Sequence, residues 1–147
     1  MASSATCWVI DANLALRAVM PGPERAEAAA LLERAGTILV PTLWVYEVTS
    51  VLRKMVRGHP SWRPAAEDAL GAILALPDQI VPPDESLARA ALDWADRLGH
   101  ANAYDAFYLA LAAREGALLW TYDKRLYRRV RQVGADFVRL PGGEREA

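Results

Sequence analysis

Residues 38–57 read Ile38-Leu39-Val40-Pro41-Thr42-Leu43-Trp44-Val45-Tyr46-Glu47-Val48-Thr49-Ser50-Val51-Leu52-Arg53-Lys54-Met55-Val56-Arg57. The stretch opens on the short apolar run Ile38 to Val40, too short for a helix, which predicts a strand. Beyond Pro41 the apolar positions recur at helical spacing and predict a helix over about Leu43 to Arg57. A strand feeding directly into a helix is the unit from which α/β folds are built. One carboxylate interrupts the pattern. Residues three and four apart share a helix face, so Glu47 stands beside Leu43 and Trp44 on one side and Ser50 and Val51 on the other. An ionised carboxylate withdrawn from water without a partner is costly enough that it pairs, takes a proton or binds a cation.

The same unit repeats outward in both directions. Further apolar runs at Trp8 to Ile10, Gln79 to Val81, Ala117 to Trp120 and Phe137 to Leu140 predict strands. Helical spacing falls at about Asn13 to Ala18, Glu24 to Ala35, Ala65 to Leu76, Glu85 to Leu98, Ala103 to Arg114 and Lys124 to Val133. Pro21-Gly22-Pro23, Gly36, Gly58, Pro77, Pro82-Pro83, Gly99, Gly116 and Gly134 punctuate the series. Strands alternating with helices predict an α/β sandwich around a mostly parallel sheet of about five strands. Right-handed crossovers place helices on both of its faces. No linker or internal repeat divides the chain, so its 147 residues read as one domain. The ordered core is expected from about residue 7 to 140, and PGGEREA from Pro141 onward reads as a flexible tail.

A formal charge of -1 gives no overall pull on nucleic acid, so any basic footprint has to be local. The single Cys7, in the apolar run Cys7-Trp8-Val9-Ile10, reads as a small packed hydrophobe and cannot form an internal disulfide. MASSAT lacks the basic and apolar segments of a signal peptide, and no apolar run is long enough for a membrane span. A reduced, cytoplasmic location is therefore expected. Trp8 and Trp120 read as core residues of central strands, whereas Trp62 lies in the proline-flanked loop His59-Pro60-Ser61-Trp62-Arg63-Pro64, where it could pack or meet a partner.

Four carboxylates occupy comparable places. Asp11 follows the first strand in VIDANL, Glu47 lies little more than one turn into the helix after Ile38 to Val40, and Asp123 follows the strand ending at Trp120. In a parallel sheet such junctions open on the carboxyl edge, where open α/β folds place their sites. Asp105, at the start of a helix that follows another helix, reaches that edge only through the tertiary fold. Capping competes for several of them: Asp123 precedes Lys124-Arg125-Leu126, Asp11 or Asn13 could cap the first helix, and Asn102 with Asp105 resembles a capping box. Glu47 is too deep in its helix to cap it, and its alternative is a buried ion pair with an arginine. If the four converge, their repulsion calls for a cation among them, and oxygen-only ligands suit Mg²⁺ or Mn²⁺.

Val9-Ile10-Asp11-Ala12-Asn13-Leu14, then Pro41-Thr42-Leu43-Trp44-Val45-Tyr46-Glu47-Val48, then Ala103-Tyr104-Asp105-Ala106-Phe107-Tyr108-Leu109-Ala110-Leu111-Ala112, then Leu119-Trp120-Thr121-Tyr122-Asp123-Lys124-Arg125-Leu126 form an ordered set. It resembles the PIN-domain ribonucleases, and among them the VapC-type toxins of VapBC toxin-antitoxin systems, over about Cys7 to Leu140. The resemblance implies a PIN-like three-layer sandwich and a metal-dependent endoribonuclease. It implies that Asp11, Glu47, Asp105 and Asp123 form its catalytic site around Mg²⁺ or Mn²⁺. Asn13 and Thr121 match positions that hold a small polar residue near the metal or its waters. A helix-start role for Asn13 and a strand-end hydrogen bond for Thr121 stay open beside this. The resemblance further implies a VapB-type antitoxin, whose C-terminal segment fills a groove beside the site, and a homodimer.

Lys124, Arg125, Arg128 and Arg129 follow Asp123 closely. If Leu126 and Val130 pack inward, these cations face the rim of the cleft and are candidates to hold an RNA backbone; a solvated helix face is the alternative. Asp96 and His100 stand one turn apart, as a metal pair would, although a charged helix face explains them better. Two rival functions remain. One is a non-catalytic PIN-like module that binds a protein or RNA partner. The other is a phosphotransfer domain using Asp11 as nucleophile, for which the expected second aspartate two residues on is replaced by Asn13.

Overall fold

A computed structural model describes residues 6–100 and 102–143. The last part of the expected tail, 144–147, lies outside the described residues, while Pro141 is buried. The chain runs β1 (Cys7–Ile10), α1 (Ala12–Val19), α2 (Arg25–Leu32), β2 (Thr37–Pro41), α3 (Thr42–Gly58), α4 (Arg63–Leu74), β3 (Gln79–Val81), α5 (Glu85–Leu98), α6 (Tyr104–Glu115), β4 (Leu118–Trp120), α7 (Lys124–Gln132) and β5 (Val138–Arg139), with a 3₁₀ turn at Pro60–Trp62. Every strand and helix expected from the apolar spacing is present. The expected helix over Glu24 to Ala35 is shorter, ending at Leu32 three residues before its limit. The fifth strand is confined to Val138–Arg139.

The five strands form one sheet in the order β3-β2-β1-β4-β5, with every pair parallel. The opening stretch supplies β2, whose Ile38 pairs with Trp8 of β1, while Leu39 and Val40 pair with Gln79 and Ile80 of β3. Parallel pairing needs crossovers, and right-handed ones carry α1 to α4 over one face and α5 to α7 over the other. Accordingly α1 packs on α2, α3 and α4, and α5 packs on α6, which lies across β1, β2 and β4. The chain leaves β1 toward β2 and returns to its other side as β4. The strand order therefore reverses between β1 and β4, and a crevice opens there at the carboxyl edge.

Two faces meet the sheet as their sequences require. In α3 the buried residues Trp44, Val48, Leu52 and Val56 repeat every fourth position and form a stripe against the core. Glu47 and Val51 flank this stripe and are half-buried, so the glutamate is at the border of the apolar face and not beneath it. Helix α5 begins at Asp84, whose carboxylate accepts the Leu87 N–H at 2.7 Å, and ends at Gly99 in the left-handed region (φ 71°). A side chain at Gly99 would also meet the Arg129 guanidinium.

Trp8 is buried and its ring lies 4.9 Å from that of the half-buried Trp120. Trp62 is exposed and stacks on His59 at 4.0 Å. Cys7 is half-buried, and this burial pushes its thiol pKa up, away from reactivity. Among the described residues no helix is long and apolar enough to cross a membrane.

Candidate active site

Asp11 leaves β1 and caps α1: its Oδ1 accepts the Leu14 N–H at 2.8 Å. Its own N–H donates to the Trp120 carbonyl at 3.2 Å, joining the ends of β1 and β4 at the strand-order reversal. The second carboxylate oxygen, Oδ2, accepts the hydroxyl of Thr121 at 2.5 Å. Thr121 is buried (1% exposed), and its oxygen in turn accepts the Asp123 N–H at 2.9 Å. One hydroxyl thus sets the carboxylate of Asp11 and the backbone of Asp123 relative to each other. The strand-end reading of Thr121 and its place beside the acidic residues are the same interaction.

Asp123 caps α7 by accepting the Leu126 N–H at 3.0 Å. Capping and convergence, rivals in the sequence, coexist for Asp11 and Asp123, because a residue between a parallel strand and its helix is at a helix N-terminus and at the carboxyl edge at once. The capping box at Asn102 and Asp105 does not form: α6 starts from Ala103 without a side-chain cap, and Asn102 Oδ1 accepts only the Tyr104 N–H at 3.3 Å.

Glu47 meets a residue that sequence reasoning passed over. The hydroxyl of Tyr108, a buried residue of α6, donates to Glu47 Oε1 at 2.5 Å. No basic side chain ion-pairs with Glu47 among the described residues, so the arginine-pair alternative is not realised. In the sequence Tyr108 is one more bulky residue in the run Phe107-Tyr108-Leu109. The signals that could have found it are its place three residues after Asp105, on the same helix face, and the need of a buried phenol for a partner.

Asp11, Glu47, Asp105 and Asp123 line one cleft of about 190 Å³, together with Asn13, Tyr108 and Thr121. Asn13 is exposed in the first turn of α1. Asp11, Glu47 and Asp105 resist ionisation. Burial pushes the Asp11 pKa up to about 6, against the hydrogen bonds from Thr121 and Leu14 and with help from the charges of Glu47 and Asp123. Glu47 is raised first by burial, then by Asp105, with the Tyr108 bond opposing. Asp105 is exposed as a residue, yet its carboxyl is raised, first by loss of water at the cleft and then by Asp123, while His100 pulls it down. The Tyr108 phenol is driven far above its ordinary value, again first by burial, and stays a proton donor.

The cleft has supports and a basic shoulder. Tyr122, between Thr121 and Asp123, donates its hydroxyl to Glu27 at 2.9 Å, and the Arg17 guanidinium lies over its ring at 4.4 Å. In α7 Leu126 and Val130 are buried, as does Tyr127, and Lys124, Arg125, Arg128 and Arg129 are exposed. Arg129 is engaged, with Nε donating to the Leu98 carbonyl at 2.9 Å and Nη1 to Gln132 at 3.1 Å. His100 lies past the end of α5 and shares a hollow with Asp105 and Asp123, not with Asp96.

No curated protein sequence matches the chain. Similar solved structures include PAE2754 from Pyrobaculum aerophilum, 19% identical, covering 96% of this chain and 93% of that one with a TM-score of 0.72. A toxin-antitoxin complex from Klebsiella pneumoniae is 19% identical over 90% of this chain and 96% of that one, TM-score 0.68. VapBC2 from Rickettsia felis, bound to a DNA fragment from its promoter, is 14% identical over 92% and 98%, TM-score 0.67. At these identities the likeness is one of fold. The PIN domain family model matches residues 8–132, which include all four carboxylates, and the chain belongs to that family.

Proposed function

We propose that this protein is an endoribonuclease that hydrolyses RNA phosphodiester bonds with Mg²⁺ or Mn²⁺ at the acidic cleft. The observation that carries the reading is the gathering of Asp11, Glu47, Asp105 and Asp123 in one cleft, with no basic partner for Glu47 among the described residues. The donor set fits such an ion. It consists of carboxylate oxygens, and among the described residues no three acidic, histidine or cysteine groups already close as a cage. Mg²⁺ keeps several of its waters and takes only one or two carboxylates, so an open acidic cleft suits it better than a closed cage would.

When bound, the ion would neutralise charge on the phosphate and activate an attacking water. The chain supplies orientation. Thr121 and the Leu14 N–H fix both oxygens of Asp11, which also disposes Asp11 poorly to act as a covalent nucleophile. Tyr108 fixes one oxygen of Glu47. Asp105 and Asp123 complete the acidic wall, and Lys124, Arg125, Arg128 and Arg129 lie on the helix beside it, where an RNA backbone would gain from their charge. The likeness to toxin-antitoxin structures supports a further reading: the chain is the toxin of a type II pair, acting in the cytoplasm as a homodimer held silent by a VapB-type antitoxin.

The deciding experiment incubates purified, antitoxin-free protein with a mixed pool of structured and single-stranded RNA in Mg²⁺, in Mn²⁺ and in EDTA. Fragments in either metal and none in EDTA are expected. Cleavage that ignores EDTA would overturn the metal reading, and intact RNA throughout would leave a binding module. A second expectation concerns Tyr108→Phe, which keeps the packing and removes the hydroxyl. Groups that orient metal ligands typically contribute 10–100-fold in affinity or activity, so Mn²⁺ binding measured by calorimetric titration should weaken by about that factor. Unchanged affinity would make the Tyr108 bond a fold contact only.

A further inference from the structure

The acidic cleft continues into a second hollow. Its walls include Asp105 and Asp123, shared with the cleft, and it adds His100, Arg125 and Arg129. The carboxylates thus lie on the side of the hollow that opens to the cleft, and the nitrogen-bearing side chains enter only beyond them. The cations differ in availability. Arg129 is tied to the Leu98 carbonyl and to Gln132, which fixes the end of α5 against α7. Arg125 is exposed and has no hydrogen bond or ion pair among the described residues. His100 is near enough to Asp105 to influence its carboxyl, and an imidazole offers an N–H donor in any protonation state.

On its other side the cleft runs toward a hollow that shares Asn13, Leu16 and Val51 with it and adds Met20 and Met55 together with the charged residues Arg17, Glu24 and Arg25. The arginine of α1 on that side, Arg17, already lies over Tyr122 and pairs with Glu24 at 3.9 Å. A polyanion with one phosphate at the acidic cleft must extend away from it. The two directions are unequal: one sets an uncommitted guanidinium and an imidazole against two of the cleft's own carboxylates, Asp105 and Asp123, while the other, where Arg25 is also exposed, shares none of the four carboxylates with the cleft.

We infer that the hollow between His100 and Arg125 is a subsite for an RNA phosphate that flanks the scissile one, with Arg125 as its charged contact and His100 as a hydrogen-bond donor. The inference rests on the ribonuclease reading. Arg129 is a positioning residue here, holding the loop that carries His100. The cations also offset the repulsion that Asp105 and Asp123 exert on a backbone passing them.

The test measures binding of a labelled, mixed-sequence single-stranded RNA to Glu47→Gln protein in Mg²⁺ across a series of salt concentrations, which keeps the RNA intact. Into this background go Arg125→Ala, Arg125→Lys and His100→Ala, each first shown by thermal unfolding to keep its fold. Loss of a charged hydrogen bond corresponds to about tenfold in affinity, so Arg125→Ala should weaken all sequences alike by that factor. The slope of log K against log salt should fall by about 0.7, the value for one single-stranded phosphate contact, and Arg125→Lys should restore it. His100→Ala should weaken binding without favouring one sequence over another. Replacing single phosphates by neutral methylphosphonates should locate one position whose loss matches that of Arg125→Ala and adds nothing to it. RNA binding indifferent to Arg125, or losses that add at every phosphate, would overturn the subsite and leave the nuclease reading standing. No RNA binding by any form would overturn both.

Discussion

Replacing Glu47 by glutamine should lower metal-dependent RNA cleavage by about a thousandfold or more, equivalent to roughly 4 kcal/mol of transition-state stabilisation. The substitution isolates charge from shape. A glutamine Oε1 can accept the same Tyr108 hydroxyl that Glu47 accepts at 2.5 Å, so the side chain keeps its place beside the buried stripe of α3. What disappears is one negative charge from a cleft whose carboxyl groups already repel one another, Asp105 being the neighbour that raises Glu47. The metal-free variant should therefore unfold at a higher temperature than the metal-free wild type, while responding less to added Mn²⁺. Single-turnover cleavage in Mg²⁺ and thermal unfolding with and without Mn²⁺ measure both halves. Cleavage within tenfold of wild type would show that Glu47 stands beside the reaction and takes no part in it.

The second large effect is a fall in stability of the metal-free protein as the pH rises through the Asp11 titration. Its carboxyl has an ordinary value of 3.8 and about 6 in the fold. Between those values the unfolded chain has released a proton that the folded chain still holds, so stability declines with pH. Below 3.8 the favourable difference is fully present, and above about 6 it is gone. The separation of about two units corresponds to roughly 3 kcal/mol. Glu47 and Asp105, both raised, slope the same way. Asp84, held low by the Leu87 N–H and by Arg114, contributes with the opposite sign as pH falls through its lowered value. Comparison with Asp11→Asn removes that background. Urea unfolding in EDTA from about pH 4 to about pH 7 should show the decline in wild type and a flatter curve in the variant. Saturating Mn²⁺ should raise wild-type stability at neutral pH more than that of Asp11→Asn, because the cation takes over the role of the proton at a carboxylate the variant lacks. A wild-type stability that rises across the interval relative to Asp11→Asn would contradict the burial of Asp11.

Asp105 shows how far topology could be read from sequence. Of the four it alone starts a helix that follows another helix. Yet α6 leads directly into β4, and a helix that feeds a parallel strand must start at that strand's carboxyl end to return the chain to its amino end. Its 12 residues span about 18 Å, enough for the return. The rule that placed Asp11, Glu47 and Asp123 was therefore sufficient for Asp105, applied to the helix before a strand and not the one after. The strands and helices themselves were legible because proline and glycine separate them, and because three apolar residues in a row have few alternatives. Tyr108 was not legible in the same way. Its partner is 61 residues distant, and in a helix buried on most sides its ring has an ample packing reason to be there. The orientation of Arg129 toward the end of α5 is equally remote from any local pattern, since the contact joins positions 31 apart.

The central strand carries a consequence for the timing of synthesis. Among the described residues β1 precedes every other strand, and it is the middle one of the sheet, with β2 on one side and β4 on the other. Its second neighbour is translated only at Leu118–Trp120, and the hydroxyl that seats Asp11 belongs to a residue 110 positions later. A nascent chain stopped after α5 carries Asp11 and Glu47 but neither Thr121 nor Asp123. Its first strand has an open edge, and its first carboxylate lacks its partner. Pairing across so long a separation is slow to form compared with local contacts. The acidic cleft is thus complete only once Asp123 has been translated, so under the proposed function a copy released by the ribosome before that point would lack part of the site it needs to cut RNA.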